Sequence, residues 1–186
     1  MAEPPAHAAA PHGVAVRPLQ PSDLVAYKAL RDAMLAAHPD AFTSDAETDA
    51  HLPAEHYTAR LGLDRPEGGH FTLGAFESRG TLVGAVTCER DGRAKVRHIG
   101  HVTAMMVAAP WQRRGVGRAL MRHCLDAARA ADGLTLLTLS VSAHNEAARR
   151  LYLKLGFQPY GRLDGAARLG SRYISKEYLS LWLSSP

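Results

Sequence analysis

The chain has 186 residues, 46% hydrophobic and 22% charged, enough for one globular domain that buries a sizeable core without staples. Its 22 Lys and Arg against 18 Asp and Glu leave a net charge of +4. The bases are scattered, except around Arg113, Arg114 and Arg118 and around Arg149, Arg150 and Lys154, which argues for one anionic pocket and against nucleic acid as a partner.

Two cysteines, Cys88 and Cys124, offer neither a disulfide framework nor metal-ligand spacing, so a reducing, cytoplasmic setting is the expectation. No apolar run approaches the ~20 residues that span a bilayer, and the N-terminal residues lack the basic and apolar regions of a signal peptide. Residues 1–12 are rich in Ala and Pro without a period and read as a disordered tail, leaving 13–186 as a single domain. Residues 14–16 read as a first strand. Pro21, Ser22 and Asp23 then open a helix whose Leu24, Tyr27, Leu30, Met34 and Leu35 share a stripe and which ends before Pro39. Residues 41–49 read as a polar, acidic loop, and Pro53 starts a second helix reaching Leu61.

Residues 71–76 and 81–87 are strand-like runs flanking Glu77, Ser78, Arg79 and Gly80, a hairpin pattern. A third strand over 97–107 completes an antiparallel meander. A helix over 116–131 follows, with Val116, Leu120, Cys124, Ala127 and Ala131 on one stripe and Asp132 and Gly133 ending it. Residues 134–141 form a buried strand, 146–155 a helix, and 157–160 and 173–183 two closing strands with their turn at 164–167. This order predicts an α/β fold with one mixed sheet and helices on both faces.

The stretch Trp111, Gln112, Arg113, Arg114, Gly115, Val116, Gly117, Arg118 carries the most chemistry, because it turns a strand into a helix through two glycines. Glycines let backbone N–H groups close on an anion, and the helix dipole adds positive charge, so a phosphate-bearing ligand is expected. On the later helix Asn145, Ala148 and Tyr152 stand at i, i+3 and i+7 and share one face, while Ala147, Leu151 and Leu155 share another. One face is free to pack while the other meets ligand.

From about Ile99 to Tyr160 the chain resembles the GNAT superfamily of acetyl-coenzyme A-dependent N-acetyltransferases. The resemblance rests on Gln112-x-x-Gly115-x-Gly117 after a strand, followed by Asn145-x-x-Ala148-x-x-Leu151-Tyr152-x-Lys154-x-Gly156-Phe157. It implies a mostly antiparallel sheet of about seven strands, splayed between two central ones, and an acyltransferase that moves acetyl from acetyl-coenzyme A to a primary amine by direct attack in a ternary complex. The backbone of Gln112, Arg113, Arg114, Gly115, Val116, Gly117 and Arg118 would hold the pyrophosphate. Met105, Met106 and Val107 would pair with the pantetheine arm like an added strand, and N–H groups near Met106 or Val107 would stabilise the oxyanion. Asn145 would contact the same arm or simply cap its helix. Ala148 is small enough to admit the ligand. Tyr152 would protonate the departing thiolate, or be a core tyrosine.

The amine must lose a proton before attack, since a lysine-like nitrogen has a pKa of ~10.4. Some family members place a glutamate on the strand before the loop; here His101 stands at that position, as a base or as a structural or surface histidine, with Glu89 as the second candidate and water as a further route. His98 and His101 should point to opposite strand faces, and His51 and His56 lack a His-Glu-x-x-His context, so no metal is expected. The acceptor pocket is expected from residues 22–61 and 164–171, and the exposed final strand is available to pair with a second copy. Two other readings are a non-catalytic acyl-coenzyme A binding or sensing module, and a nucleotide-binding loop. The latter lacks the Gly-Lys-Ser/Thr ending that holds phosphate and magnesium. The identity of the amine stays open.

Overall fold

A computed structural model describes residues 13–62 and 68–184. The expected N-terminal tail lies outside the described residues. The elements are β1 (Ala15–Pro18), α1 (Leu24–Ala37), α2 (Ala46–Ala50), β2 (Phe71–Phe76), β3 (Leu82–Arg90) and β4 (Ile99–Val107), followed by α3 (Val116–Ala130), β5 (Leu136–Ser142), α4 (Glu146–Lys154), β6 (Gln158–Leu169) and β7 (Arg172–Trp182). They build one seven-stranded sheet in the order β1-β2-β3-β4-β5-β7-β6. Only the β4–β5 pair is parallel; the connection between them is α3.

Two apolar layers sandwich the sheet. On one face Leu120, Met121, Cys124 and Ala128 of α3 pack on Val86, Val102, Leu137 and Leu139. On the other, Tyr27, Leu30 and Met34 of α1 pack with Phe76, Leu82, Ala85 and Met106. The stripe expected on α1 is therefore the one that is buried. On α3 the buried face runs through Ala119, Met121, Leu125 and Ala128, whereas Ala127 and Ala131 lie at its half-exposed margin. A helix lying across several strands buries a face wider than one stripe.

Four expectations need correction. The acidic loop expected over 41–49 runs into a short helix, Ala46–Ala50, capped by Asp45, whose side chain accepts from the N–H of Thr48. The helix expected from Pro53 to Leu61 is two 3-10 turns, Ala54–Tyr57 and Ala59–Leu61. Only Tyr57 and Leu61 of this segment are buried, too little apolar surface to hold a longer helix. The closing turn is at Gly170, whose φ of 59° suits it to a tight reversal, and not at 164–167, which is a bulge inside β6 between the Leu163–Lys176 and Ala167–Ile174 pairs. The final strand is no edge: β7 lies between β5 and β6, and β6 carries the free edge.

The sheet opens at its centre. β4 and β5 pair from Ile99–Leu136 to Val102–Leu139, after which β4 runs on to Val107 and β5 to Ser142 without a shared ladder. The cause is visible in β4. Thr103 pairs with Thr87 and Met106 with Ala85, leaving Ala104 and Met105 opposite Val86, and Ala104 takes a φ of 48°. Two residues against one form a bulge, which bends its strand and turns the end of β4 away from β5.

Candidate active site

The loop after β4 is shaped by its own sequence. Pro110 lies in a 3-10 turn over Ala109–Trp111, and the side-chain amide of Gln112 donates to the carbonyl of Val107 at 3.0 Å, tying the loop to the strand it leaves. Arg113 has a φ of 60°, and Gly115, the residue before α3, one of 83°. Gly117 stands where the first turn of α3 nears two neighbours: a Cβ there would come within 3.1 Å of Met105 Cε and 3.6 Å of Leu151 Cδ2. The first N–H groups of any helix have no partner within it. Here that end of α3 faces a cleft of about 460 Å³, lined by Met105, Met106, Val107, Gln112, Arg113, Gly117, Asn145, Ala148 and Tyr152 among others. Nine of the positions expected to meet the cosubstrate thus surround one space. Arg114, with its guanidinium 5.6 Å from the Trp111 ring, and Arg118 are exposed.

The opposite wall of the cleft is α4. Asn145 caps it, its Oδ1 accepting from the N–H of Ala148 at 3.1 Å, and its side chain still borders the cavity, so the two roles weighed for it coexist. Arg149 is held by Glu177 of β7 at 2.7 Å, while Arg150 and Lys154 are exposed. Tyr152 is buried, with its ring edge-on to Phe157 at 6.1 Å between centroids. Burial, with a smaller contribution from nearby Cys124, pushes its phenol up to about 12, so it keeps its proton throughout the neutral range.

A second cavity, of about 300 Å³, lies on the α1 side of the splay. It shares Met105, Asn145, Ala148 and Tyr152 with the first, along with Ala41 and Phe42 from the segment after α1. That segment is tied across the sheet: Ser142 Oγ donates to the carbonyl of Asp40 at 2.6 Å, His144 meets the Asp40 carboxylate at 2.8 Å, and Lys176 donates to Thr43 Oγ1 at 2.7 Å. Arg31 of α1, buried, binds Asp49 at 2.7 Å and Ser44 at 2.6 Å. The segment 164–171, expected at this pocket, contributes no lining residue; α1, the 41–44 segment, Arg60 and β7 supply it instead.

The two base candidates are placed differently. Glu89 lines the second cavity, accepts from Thr103 Oγ1 at 2.9 Å and has Arg60 at 3.7 Å. His101 pairs with Glu89 across the β3–β4 ladder but borders neither cavity; it is exposed and lies 2.6 Å from Thr138 Oγ1. Among the described residues no three His, Cys, Asp or Glu side chains gather as a metal would need. None of their helices is long and apolar enough to cross a membrane.

Residues 27–157, more than half of the chain, match the Acetyltransferase (GNAT) family. The chain belongs to that family. This GNAT chain is 39% identical over 84 residues to the N-alpha-acetyltransferase RimI of Mycobacterium tuberculosis, a match covering 45% of this chain and 50% of the relative, so it spans about half the length of that curated protein. A solved GNAT-family acetyltransferase from Streptococcus pneumoniae has a TM-score of 0.80 at 25% identity, over 91% of this chain and 99% of that one. The putative acetyltransferase YncA of Salmonella typhimurium, solved with acetyl-CoA as its cofactor, has a TM-score of 0.76 at 20% identity over 93% and 95% of the two chains, a likeness of fold.

Sequence reasoning missed the bulge at Ala104 and the buried pair Arg31–Asp49. A pair of alternating strand residues gives no sign of a bulge. Arg31 does fall on the apolar stripe of α1, between Leu30 and Met34, and a cation there was the available signal.

Proposed function

We propose that this chain is an N-acetyltransferase that moves the acetyl group of acetyl-CoA to a primary amine by direct attack in a ternary complex. The observation that carries this reading is the meeting of two cavities at Met105, Asn145, Ala148 and Tyr152 in the gap between β4 and β5. One cavity begins at a helix N-terminus suited to pyrophosphate; the other ends at a carboxylate. Acetyl-CoA fits the first on the chemistry of its donors: backbone N–H groups of 112–118 for phosphate, the unpaired edge of β4 at Met105–Val107 for the pantetheine amides, and small Ala148 for its passage.

In this reading Glu89, and not His101, receives the ammonium proton, directly or through water, because Glu89 borders the acceptor cavity. Backbone N–H groups at the end of β4 stabilise the charge that develops on the carbonyl oxygen. Tyr152 donates its proton to the sulfur as the C–S bond breaks, the nitrogen of the new C–N bond gives its second proton back to the Tyr152 phenolate, and Glu89 holds the first proton the amine lost until solvent takes it. The products are an N-acetyl amine and free coenzyme A. Family membership and the N-alpha-acetyltransferase relative support an amine as the acceptor.

The test is release of free thiol from acetyl-CoA with a panel of amino acids, polyamines and peptides. Turnover of at least one amine, lost in Tyr152→Phe, is expected. Acetyl-CoA binding without turnover of any amine would replace this reading with a sensing module.

A further inference from the structure

Among the described residues, Arg31, Arg60 and Lys176 line the acceptor-side cavity against a single carboxylate, Glu89. Two of these cations are already matched. Arg31 is paired with Asp49 at 2.7 Å behind the cavity wall, and Arg60 lies 3.7 Å from Glu89. Lys176 is not. It is only 7% exposed, its Nζ donates to Thr43 Oγ1 at 2.7 Å, and among the described residues no carboxylate lies within ion-pairing distance. Burial alone lowers its pKa from the usual lysine value, with no opposing charge to restore it. A buried ammonium left without a counter-charge is costly, and its retention on the wall of a cavity points to a ligand that brings the missing anion.

The position of Lys176 narrows which ligand that is. Lys176 pairs with Ser142 at the end of β5, on the far side of the splay from Glu89, and it does not border the cleft assigned to acetyl-CoA. The phosphates of the cosubstrate are therefore not its partner. Glu89 on β3 and Lys176 on β7 are three strand spacings apart, roughly 14 Å or more between backbones, and both long side chains border the same cavity with Tyr152. A molecule set between them meets a carboxylate at one end and an ammonium at the other. We infer that the acceptor is a free amino acid or close analogue, with its amine toward Glu89 and its own carboxylate or similar oxyanion held by Lys176. This rests on the N-acetyltransferase reading and specifies its substrate class. Polyamines carry no anion for Lys176, and the N-terminus of a peptide carries an amide where the carboxylate would be.

The experiment compares free L-amino acids with their carboxamides, spermidine and a tetrapeptide as acceptors, by thiol release with acetyl-CoA. The carboxamide amine is less basic, so more of it is in the neutral, reactive form at neutral pH, which biases chemistry against the proposal. The expected result is at least one amino acid preferred tenfold or more in kcat/KM over its carboxamide. In Lys176→Met that preference should fall toward one through a raised KM for the acid, and Lys176→Arg should restore part of it. Carboxamides, spermidine or the tetrapeptide turned over as well as the acids would overturn the assignment and leave the acetyltransferase intact. Thermal shift with the same amino acids supplies a second readout. Acid-selective stabilisation of the wild type that disappears in Lys176→Met, with no amine ever acetylated, would uphold the anion site while sinking the catalytic reading. Loss of both signals sinks both.

Discussion

The two cavities that meet at Tyr152 are built by different means. The cleft beside α3 takes much of its wall from backbone and small residues: a loop with positive φ at Arg113, the β5-facing edge at the end of β4, and Gly117 and Ala148. The cavity beside α1 is walled by ionisable side chains from four separate parts of the chain, Arg31, Arg60, Glu89 and Lys176. Backbone recognition demands glycines and small residues at fixed short spacings, whereas side-chain recognition can be assembled from anywhere. The first arrangement suits a constant ligand and the second a variable one.

Tyr152→Phe tests the wall they share and should have the largest effect. We expect kcat to fall about 100- to 1000-fold with acetyl-CoA affinity unchanged by calorimetry, since only the proposed proton donor is removed. Because burial raises the phenol to about 12, the wild-type kcat with saturating amine should not decline on the alkaline side below pH ~10 through loss of this proton. A decline there that vanishes in Tyr152→Phe would mean that the phenol ionises within this range and is not held up to about 12.

This contrast also explains how much was legible in the sequence. Gln112, Gly117, Asn145 and Tyr152 stand within the two short segments that carry the family resemblance, so their meeting in one cleft was implied by that resemblance. Glu89 and Lys176 share a cavity because of strand order, β7 beside β5, and because a bulge at Ala104 opens the sheet. Neither fact leaves a periodic trace. The same ignorance of strand order made β7 look like an edge and put the closing turn at 164–167, where Gly165 belongs to a bulge. His101 was placed by counting back along β4, and Glu89, its partner across the β3–β4 ladder, was the second candidate; only the burial around the splay shows that Glu89 borders a cavity and His101 does not.

Glu89→Gln against His101→Gln separates the counted position from the observed one. With Glu89 as the proposed base, Glu89→Gln should lower kcat/KM about 100-fold at neutral pH, while His101→Gln stays within about twofold. The reverse ranking would return the role to His101. On the backbone-walled side, Gly115→Val forces a β-branched residue to a φ of 83°. At a strain of about 1–2 kcal/mol, acetyl-CoA binding should weaken about 5- to 30-fold by calorimetry, with kcat at saturation little changed. A large kcat loss with normal binding would show that the loop shapes the reacting end as well as the phosphate seat.

The smallest expected effect concerns stability on the side-chain-walled side. Burial lowers the Lys176 pKa, so the unfolded chain holds this proton more tightly than the folded one. Stability rises with pH wherever the unfolded state binds more protons, so the cost of Lys176 is full below its folded pKa and fades as pH climbs to the ordinary lysine value of about 10.4. Lys176→Met removes that cost. Without amino acid present it should be more stable than the wild type by about 1 kcal/mol at neutral pH, a few degrees in Tm, with the gap closing as pH approaches about 10.4. A gap that persists unchanged at high pH would mean that methionine merely packs better. A gap that closes would mark Lys176 as a charge kept at the expense of the fold, which is what an anion-binding residue in the acceptor cavity requires.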